Sequence, residues 1–156
     1  MSGQVVGSQW AFMVITSYEN LANALRPKCQ PWRAMIIAID GANGEGKSWL
    51  GRYLSWTLEM PTVEMDLFLQ IGTSRYDLRM DDLHRVIRTR LDLNRPAIVE
   101  GAFVLKTLRD LGQEYEALIF VRRVPPNTRR LEGTADYLAR FNPEQLADYV
   151  FEWRGP

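Results

Sequence analysis

An α/β fold built on a parallel sheet is predicted by three features of the chain. Apolar runs of strand length recur at residues 34–40 (AMIIAID), 61–67 (PTVEMDL), 96–100 (PAIVE), 117–121 (ALIFV) and 147–153 (ADYVFEW). The stretches between them carry apolar residues at helical spacing. The first run passes directly into a glycine-rich octapeptide at residues 41–48. Strands that alternate with helices pair in parallel, cross over right-handed and carry helices on both faces of the sheet. Ligands of such sheets bind beyond the carboxyl ends of the strands.

Taken in order, residues 1–16 have no clear period and read as a loose arm. Ser17 is an N-cap candidate for a short helix over 17–26, with Leu21, Ala24 and Leu25 on one face, ended by Pro27 and Pro31. The run 34–40 is continuously apolar and suits a strand buried on both faces. Residues 46–59 read as a helix with Leu50, Tyr53, Leu54 and Leu58 on its apolar stripe. After the second strand, 79–93 form an amphipathic helix. Leu83, Val86, Ile87 and Leu91 turn inward, and Asp77 is its candidate cap. A helix over 103–111 follows the third strand and stops at Gly112. Another, over 134–141, follows the fourth and is broken by Asn142-Pro143. Residues 147–153 close the sheet as the fifth strand.

The chain of 156 residues is about one domain long. Residues 1–33 are expected to form the arm and short helix, and 34–156 the ligand-binding domain. A formal net charge of zero and the lack of a long basic run argue against nucleic acid as a partner. The single cysteine, Cys29, cannot form an internal disulfide and suits a reducing cytoplasm. No stretch reaches the roughly 18 apolar residues of a membrane span, and residues 5–15 lack the basic leader of a signal peptide. Together these predict a cytoplasmic protein; they leave its oligomeric state open.

Gly41-Ala42-Asn43-Gly44-Glu45-Gly46-Lys47-Ser48 fits G-x-x-x-x-G-K-[ST], the P-loop or Walker A pattern. A triphosphate needs several backbone N–H donors around it, and glycines let the loop curl without Cβ clashes. The helix that follows aims its N-terminus at the phosphates. Lys47 can reach the β- and γ-phosphates, and the Ser48 hydroxyl can ligate Mg²⁺. Gly41, Asn43, Gly44, Glu45, Gly46, Lys47, Ser48 and Trp49, one turn into the helix, are the candidate nucleotide residues. ATP and Mg²⁺ are the expected cofactors.

Three groups of charged residues fall near strand ends. Asp66 ends the second strand, where a carboxylate can take a proton from an attacking hydroxyl or hold a metal-bound water; it also fits a turn or cap aspartate. Glu64, on the same strand face, is a weaker candidate. Glu100 ends the third strand as a second Mg²⁺ partner, or as a solvated strand-end acid, and Asp40 is a lesser option. Arg122, Arg123, Arg129 and Arg130 follow the fourth strand. They can stabilise charge on a transferring phosphoryl group, Arg122 and Arg129 being the candidate nucleotide contacts, or lie solvated on the surface. Arg75, Tyr76 and Arg79 lie just past the second strand, where a second substrate would enter.

The segments IAIDGANGEGKSWL, MDLF, IVEGAFVL, IFVRR and ADYVFEW resemble the uridine kinase-like group of P-loop kinases, which includes nucleoside, pantothenate and phosphoribulo-kinases. The resemblance runs over roughly residues 34–153. It implies a P-loop NTPase three-layer sandwich with a five-stranded parallel sheet in the order 2-3-1-4-5. It also implies Asp66 as general base, Glu100 as metal or substrate contact and lid arginines after the fourth strand, with Lys47 completing the catalytic set. The acceptor hairpin of nucleoside kinases is missing between the second and third strands, the lid is short, and Trp49 stands where a small residue is usual. The function expected is phosphoryl transfer from ATP·Mg²⁺ to a small, unidentified acceptor, nucleoside- or sugar-like. The alternatives are a nucleotide-binding regulator or NTPase working on a partner protein, and a structural module that keeps the loop without the chemistry.

Overall fold

The structure, a computed structural model, describes residues 13–73 and 75–154. The part of the expected arm at residues 1–12 lies outside them. Six strands form one sheet: β1 (Met13–Ile15), β2 (Ile36–Asp40), β3 (Thr62–Glu64), β4 (Ala97–Glu100), β5 (Ala117–Arg123) and β6 (Tyr149–Trp153). Their order is β1-β6-β5-β2-β4-β3 and every pair is parallel. The five expected strands, now β2 to β6, keep the expected order 2-3-1-4-5 (β3-β4-β2-β5-β6), and β1 adds a sixth beyond β6, which corrects the expected count of five. The sixth strand comes from the segment read as a loose arm: Met13, Val14 and Ile15 pair with Tyr149, Val150 and Phe151. Three residues are too few to show an alternation. The strand exists because β6 offers an edge and Ile15 a place in the core.

The helices are α1 (Tyr18–Cys29), α2 (Lys47–Leu58), α3 (Met80–Asp92), α4 (Val104–Asp110), α5 (Thr134–Phe141) and the single turn α6 (Pro143–Leu146). Ser17 caps α1 by accepting the Asn20 N–H at 3.3 Å. Pro27 does not end α1 but lies inside it. A late proline costs one backbone bond, and the turn continues because Cys29 is buried in the core. Asp77 does not cap α3, whose N-cap is Arg79. The Asp77 carbonyl instead accepts the Gln70 N–H at 2.9 Å, next to a Leu69–Leu78 bridge. Val86 is exposed, whereas Leu83 and Ile87 are buried.

Strand alternation sends β2 into two cores at once. Ile37 and Ile39 pack with Leu21 and Leu25 of α1 and Leu50 and Leu54 of α2. Ile36 and Ala38 pack on the opposite face with Leu83 and Ile87 of α3 and Val104 and Leu108 of α4. Each fully buried aliphatic chain contributes about 1.5–3 kcal/mol. The strand that leads into the P-loop is therefore held by packing on both faces, and it is flanked by β4 and β5. The loops after β2, β3, β4 and β5 leave from one edge, because the strands are parallel.

Two further corrections bear on the site. β3 stops at Glu64, and residues Met65–Phe68 form a 3-10 turn, so Asp66 lies on that turn rather than at a strand end. β5 runs on to Arg123, so Arg122 and Arg123 are strand residues rather than the start of a lid. No helix among the described residues is long and apolar enough to cross a membrane.

Candidate active site

β2 ends at Asp40, the chain turns through residues 41–46, and α2 begins at Lys47. Gly41 and Gly46 have φ of 148° and 98°. A Cβ on Gly41 would lie 2.5 Å from the Val121 carbonyl oxygen, and one on Gly46 2.5 Å from Trp153 Nε1. Glycine is required at both for space as well as conformation. The N-terminus of α2 has no side-chain cap, so its first N–H groups stay available to an anion.

Lys47 is buried, and its Nζ donates to the Ala42 carbonyl at 2.8 Å. Burial pushes its ammonium below the ordinary lysine range, while Glu100, Asp40, Asp66 and Glu45 pull the other way. Ser48 Oγ donates to Glu100 Oε1 at 2.8 Å. Burial raises the Glu100 carboxyl, the Ser48 bond and Lys47 lower it, and Asp66 and Glu64 raise it further. Lys47, Ser48, Glu100 and Asp66 thus share one electrostatic neighbourhood. A hydroxyl and a carboxylate side by side are hard oxygen donors that fit Mg²⁺, which takes few protein ligands and completes its shell with phosphate and water. Among the described residues no larger metal-ligating cluster occurs.

The exposed Asp66 carboxylate accepts a hydrogen bond from the Tyr76 hydroxyl at 2.9 Å. Burial first, and then Asp66, lift the Tyr76 phenol well above its ordinary value. Glu64 is committed to Arg52, at 2.8 and 3.1 Å. Arg79 reaches back to the Leu67 carbonyl at 2.9 Å and to Asp82 at 3.3 Å, so it braces the 3-10 turn and is not free to meet a substrate. Arg75 is exposed, and Trp49 stands out from the first turn of α2 at 69% exposure.

The arginines after β5 have partners within the protein or lie exposed. Arg122 pairs with Glu152 at 2.9 Å and Glu144 at 2.5 Å. Arg123 lies over the Trp153 ring at 5.5 Å. Arg129 is exposed, its backbone N–H bonded to Asn127 Oδ1 at 3.1 Å. Arg130 meets the loop, 3.3 Å from Glu45. Glu45 is engaged within the protein as well. Its buried carboxylate accepts the N–H of Arg123 at 2.6 Å and of Asn127 at 3.2 Å. Asn127 Nδ2 donates to the Asn43 carbonyl at 3.2 Å, and the Trp153 indole donates to the Glu45 carbonyl. Glu45 is thus a clasp between the P-loop and residues 123–130. An acid inside a phosphate loop is a signal that sequence reasoning could have used: it is tolerable there only if its charge is turned away from the phosphates.

Sequence reasoning missed Tyr137. Its hydroxyl donates to the buried Asp40 carboxylate and accepts the Leu105 N–H at 3.1 Å. Burial raises Asp40 to about 6 against the lowering effect of Tyr137, Gly41 and Lys47. No local signal links Asp40 to a tyrosine so distant in the chain. A cavity of about 430 Å³ opens nearby, lined by Tyr76, Met80, Phe103, Lys106, Tyr137 and Arg140 among others.

No protein-family model and no curated protein matches the sequence. Solved structures do. A possible uridine kinase from Bacillus stearothermophilus superposes with a TM-score of 0.61 at 16% identity, over 86% of this chain and 96% of that one. A protein named as a candidate fructose transport system kinase, from a Silicibacter species, gives 0.52 at 18% identity, over 88% of this chain and 100% of that one. At such identities the likeness establishes architecture. A parallel sheet, a glycine-built phosphate loop and these two superpositions agree: the chain has the uridine kinase-like P-loop kinase fold.

Proposed function

We propose that this protein is a small-molecule kinase that transfers the γ-phosphate of ATP, bound with Mg²⁺, to a hydroxyl of a nucleoside- or sugar-like acceptor. The observation that carries the reading is the Ser48–Glu100 hydrogen bond beside Lys47, with Asp66 in the same field. Lys47 would exchange its bond to Ala42 for the β- and γ-phosphate oxygens. Ser48 and Glu100 would hold Mg²⁺, which offsets negative charge on the phosphates when bound. Asp66, open to solvent, would take the proton from the acceptor hydroxyl. The 430 Å³ cavity shares Tyr76 with Asp66 and would seat the acceptor. The related structures are named for uridine and fructose, so both compounds are the first acceptors to try.

The test is ADP release from ATP·Mg²⁺ with uridine, D-fructose and a panel of small hydroxyl compounds. Stimulation by one of them is expected, and Asp66→Asn should lower kcat by about 100-fold with little change in nucleotide affinity. Equal ADP release with and without every acceptor would overturn the reading.

A second reading is a nucleotide-dependent regulator that acts on a partner protein. It is favoured by Trp49 and Trp56 on the outer side of α2, 69% and 87% exposed, with Leu67 and Ile71 also exposed. Tryptophan is enriched at protein interfaces. Acceptor-independent hydrolysis that a protein partner accelerates would select this reading.

A further inference from the structure

We infer that Tyr76 is the positioning residue for Asp66: its hydroxyl fixes one carboxylate oxygen, Oδ1, and leaves the other to the acceptor hydroxyl. The inference rests on the reading of Asp66 as the base. Asp66 sits on a four-residue 3-10 turn and is exposed. An exposed carboxylate on such a turn samples several rotamers, whereas proton transfer needs a defined approach of about 2.6–3.2 Å. The Tyr76 bond at 2.9 Å supplies the missing constraint.

Tyr76 is itself held from the nucleotide side. Its ring meets the Phe103 ring edge-on, with centroids 5.5 Å apart, and Phe103 meets Tyr137 edge-on at 5.1 Å. Tyr137 is bonded to Asp40, the last residue of β2 before the P-loop. Phe103 keeps its place at a φ of 61°, a conformation costly for a bulky residue and one that its surroundings must hold. From the other side, Arg79 N–H bonds the Phe68 carbonyl at 2.7 Å and Gln70 N–H the Asp77 carbonyl at 2.9 Å, so residues 76–79 are stitched to the turn. Asp66 is thereby referred to the frame of the P-loop through three aromatic rings rather than to its own exposed turn. Packing alone would be served equally by phenylalanine. A half-buried hydroxyl is costly unless bonded, and its partner here is the carboxylate that the reaction needs.

The experiment compares wild type, Tyr76→Phe and Asp66→Asn in ADP release from ATP·Mg²⁺ with uridine, water serving as acceptor otherwise. It adds a ¹³C NMR titration of the tyrosine ring carbons. Tyr76→Phe is expected to lower kcat about tenfold while the KM for ATP and the melting temperature stay close to wild type. Adding Tyr76→Phe to Asp66→Asn is expected to have no further effect. In Asp66→Asn the Tyr76 phenol is expected to ionise at lower pH than in wild type, because one of the causes of its elevation is gone. Unchanged kcat in Tyr76→Phe, or a phenol titration that ignores Asp66→Asn, would overturn the inference. Wild-type ADP release no faster than that of Lys47→Ala would instead remove the kinase reading and the catalytic role of Tyr76 with it. The titration would still decide whether the two side chains are paired.

Discussion

On the proposed reading, the bond from Lys47 Nζ to the Ala42 carbonyl is the interaction a bound phosphate would replace. A charge-assisted bond to phosphate is worth about 1.5–3 kcal/mol. Lys47→Ala should therefore weaken ATP binding about 10–100-fold in titration calorimetry and leave the fold intact; equal affinities would remove Lys47 from the site. Asp40 leads to a prediction about pH. Its carboxyl is raised by burial to about 6 from an ordinary 3.8. Between those values the folded protein holds a proton that the unfolded chain has released. The contribution of Asp40 to stability is thus fully present below about pH 4 and is lost as pH rises through about 6. Asp40→Asn cannot titrate. The stability of wild type relative to Asp40→Asn should fall by roughly 2–3 kcal/mol between pH 4 and pH 7, read from denaturant melts. A difference that is flat in pH would mean that Asp40 is ionised throughout.

At the scale of elements, the P-loop is tied to residues 123–130 by a carboxylate from within the loop itself. Glu45 gathers two backbone N–H groups and the Arg130 guanidinium, and Asn127 closes the bridge on Asn43. Removal of the acceptor strands donors that are part-buried, at about 1–3 kcal/mol each. Glu45→Ala should cost about 2–4 kcal/mol of stability and speed amide exchange in residues 123–130. Exchange confined to its wild-type rate there would show that the segment holds itself. The elements also show what was legible in the sequence. The P-loop was, because eight consecutive residues carry its requirements of glycine, lysine and hydroxyl. Helix α5 was, because Asn142-Pro143 marks its end. The extension of β5 through Arg122 and Arg123 was not, since it is set by pairing with Glu152 and Trp153. The turn at Met65–Phe68 was not either, since it is fixed by the bond from the distant Arg79 N–H to its own Phe68 carbonyl.

For the whole molecule, the sheet separates two tasks. β2, in the middle of the sheet, leads into the P-loop and is packed on both faces. β1, at one edge, is remote from that loop, with β6 and β5 between them. The strand order follows from which edges remain open, a property of the assembled sheet that no single segment displays. This explains why the short run at Met13–Ile15 reads as unstructured in isolation. Its role should then be one of stability alone. Ile15 is buried in the core formed with Leu21, Leu25 and Phe151, while Met13 and Val14 are largely exposed. Ile15→Ala removes that anchor and leaves a void beside Phe151. Truncations of this kind in a core cost about 2–5 kcal/mol, and an edge strand that can relax belongs at the lower end. Loss of about 2–3 kcal/mol in denaturant melts is expected, with ATP affinity within about twofold of wild type, because the perturbation must cross two strands to reach Gly41. One route that could carry it further is Trp153, which ends β6 and donates to the Glu45 carbonyl. A loss of ATP affinity in Ile15→Ala beyond that range, at a temperature where the protein stays folded, would show that β6 transmits strain from the sheet edge into the P-loop.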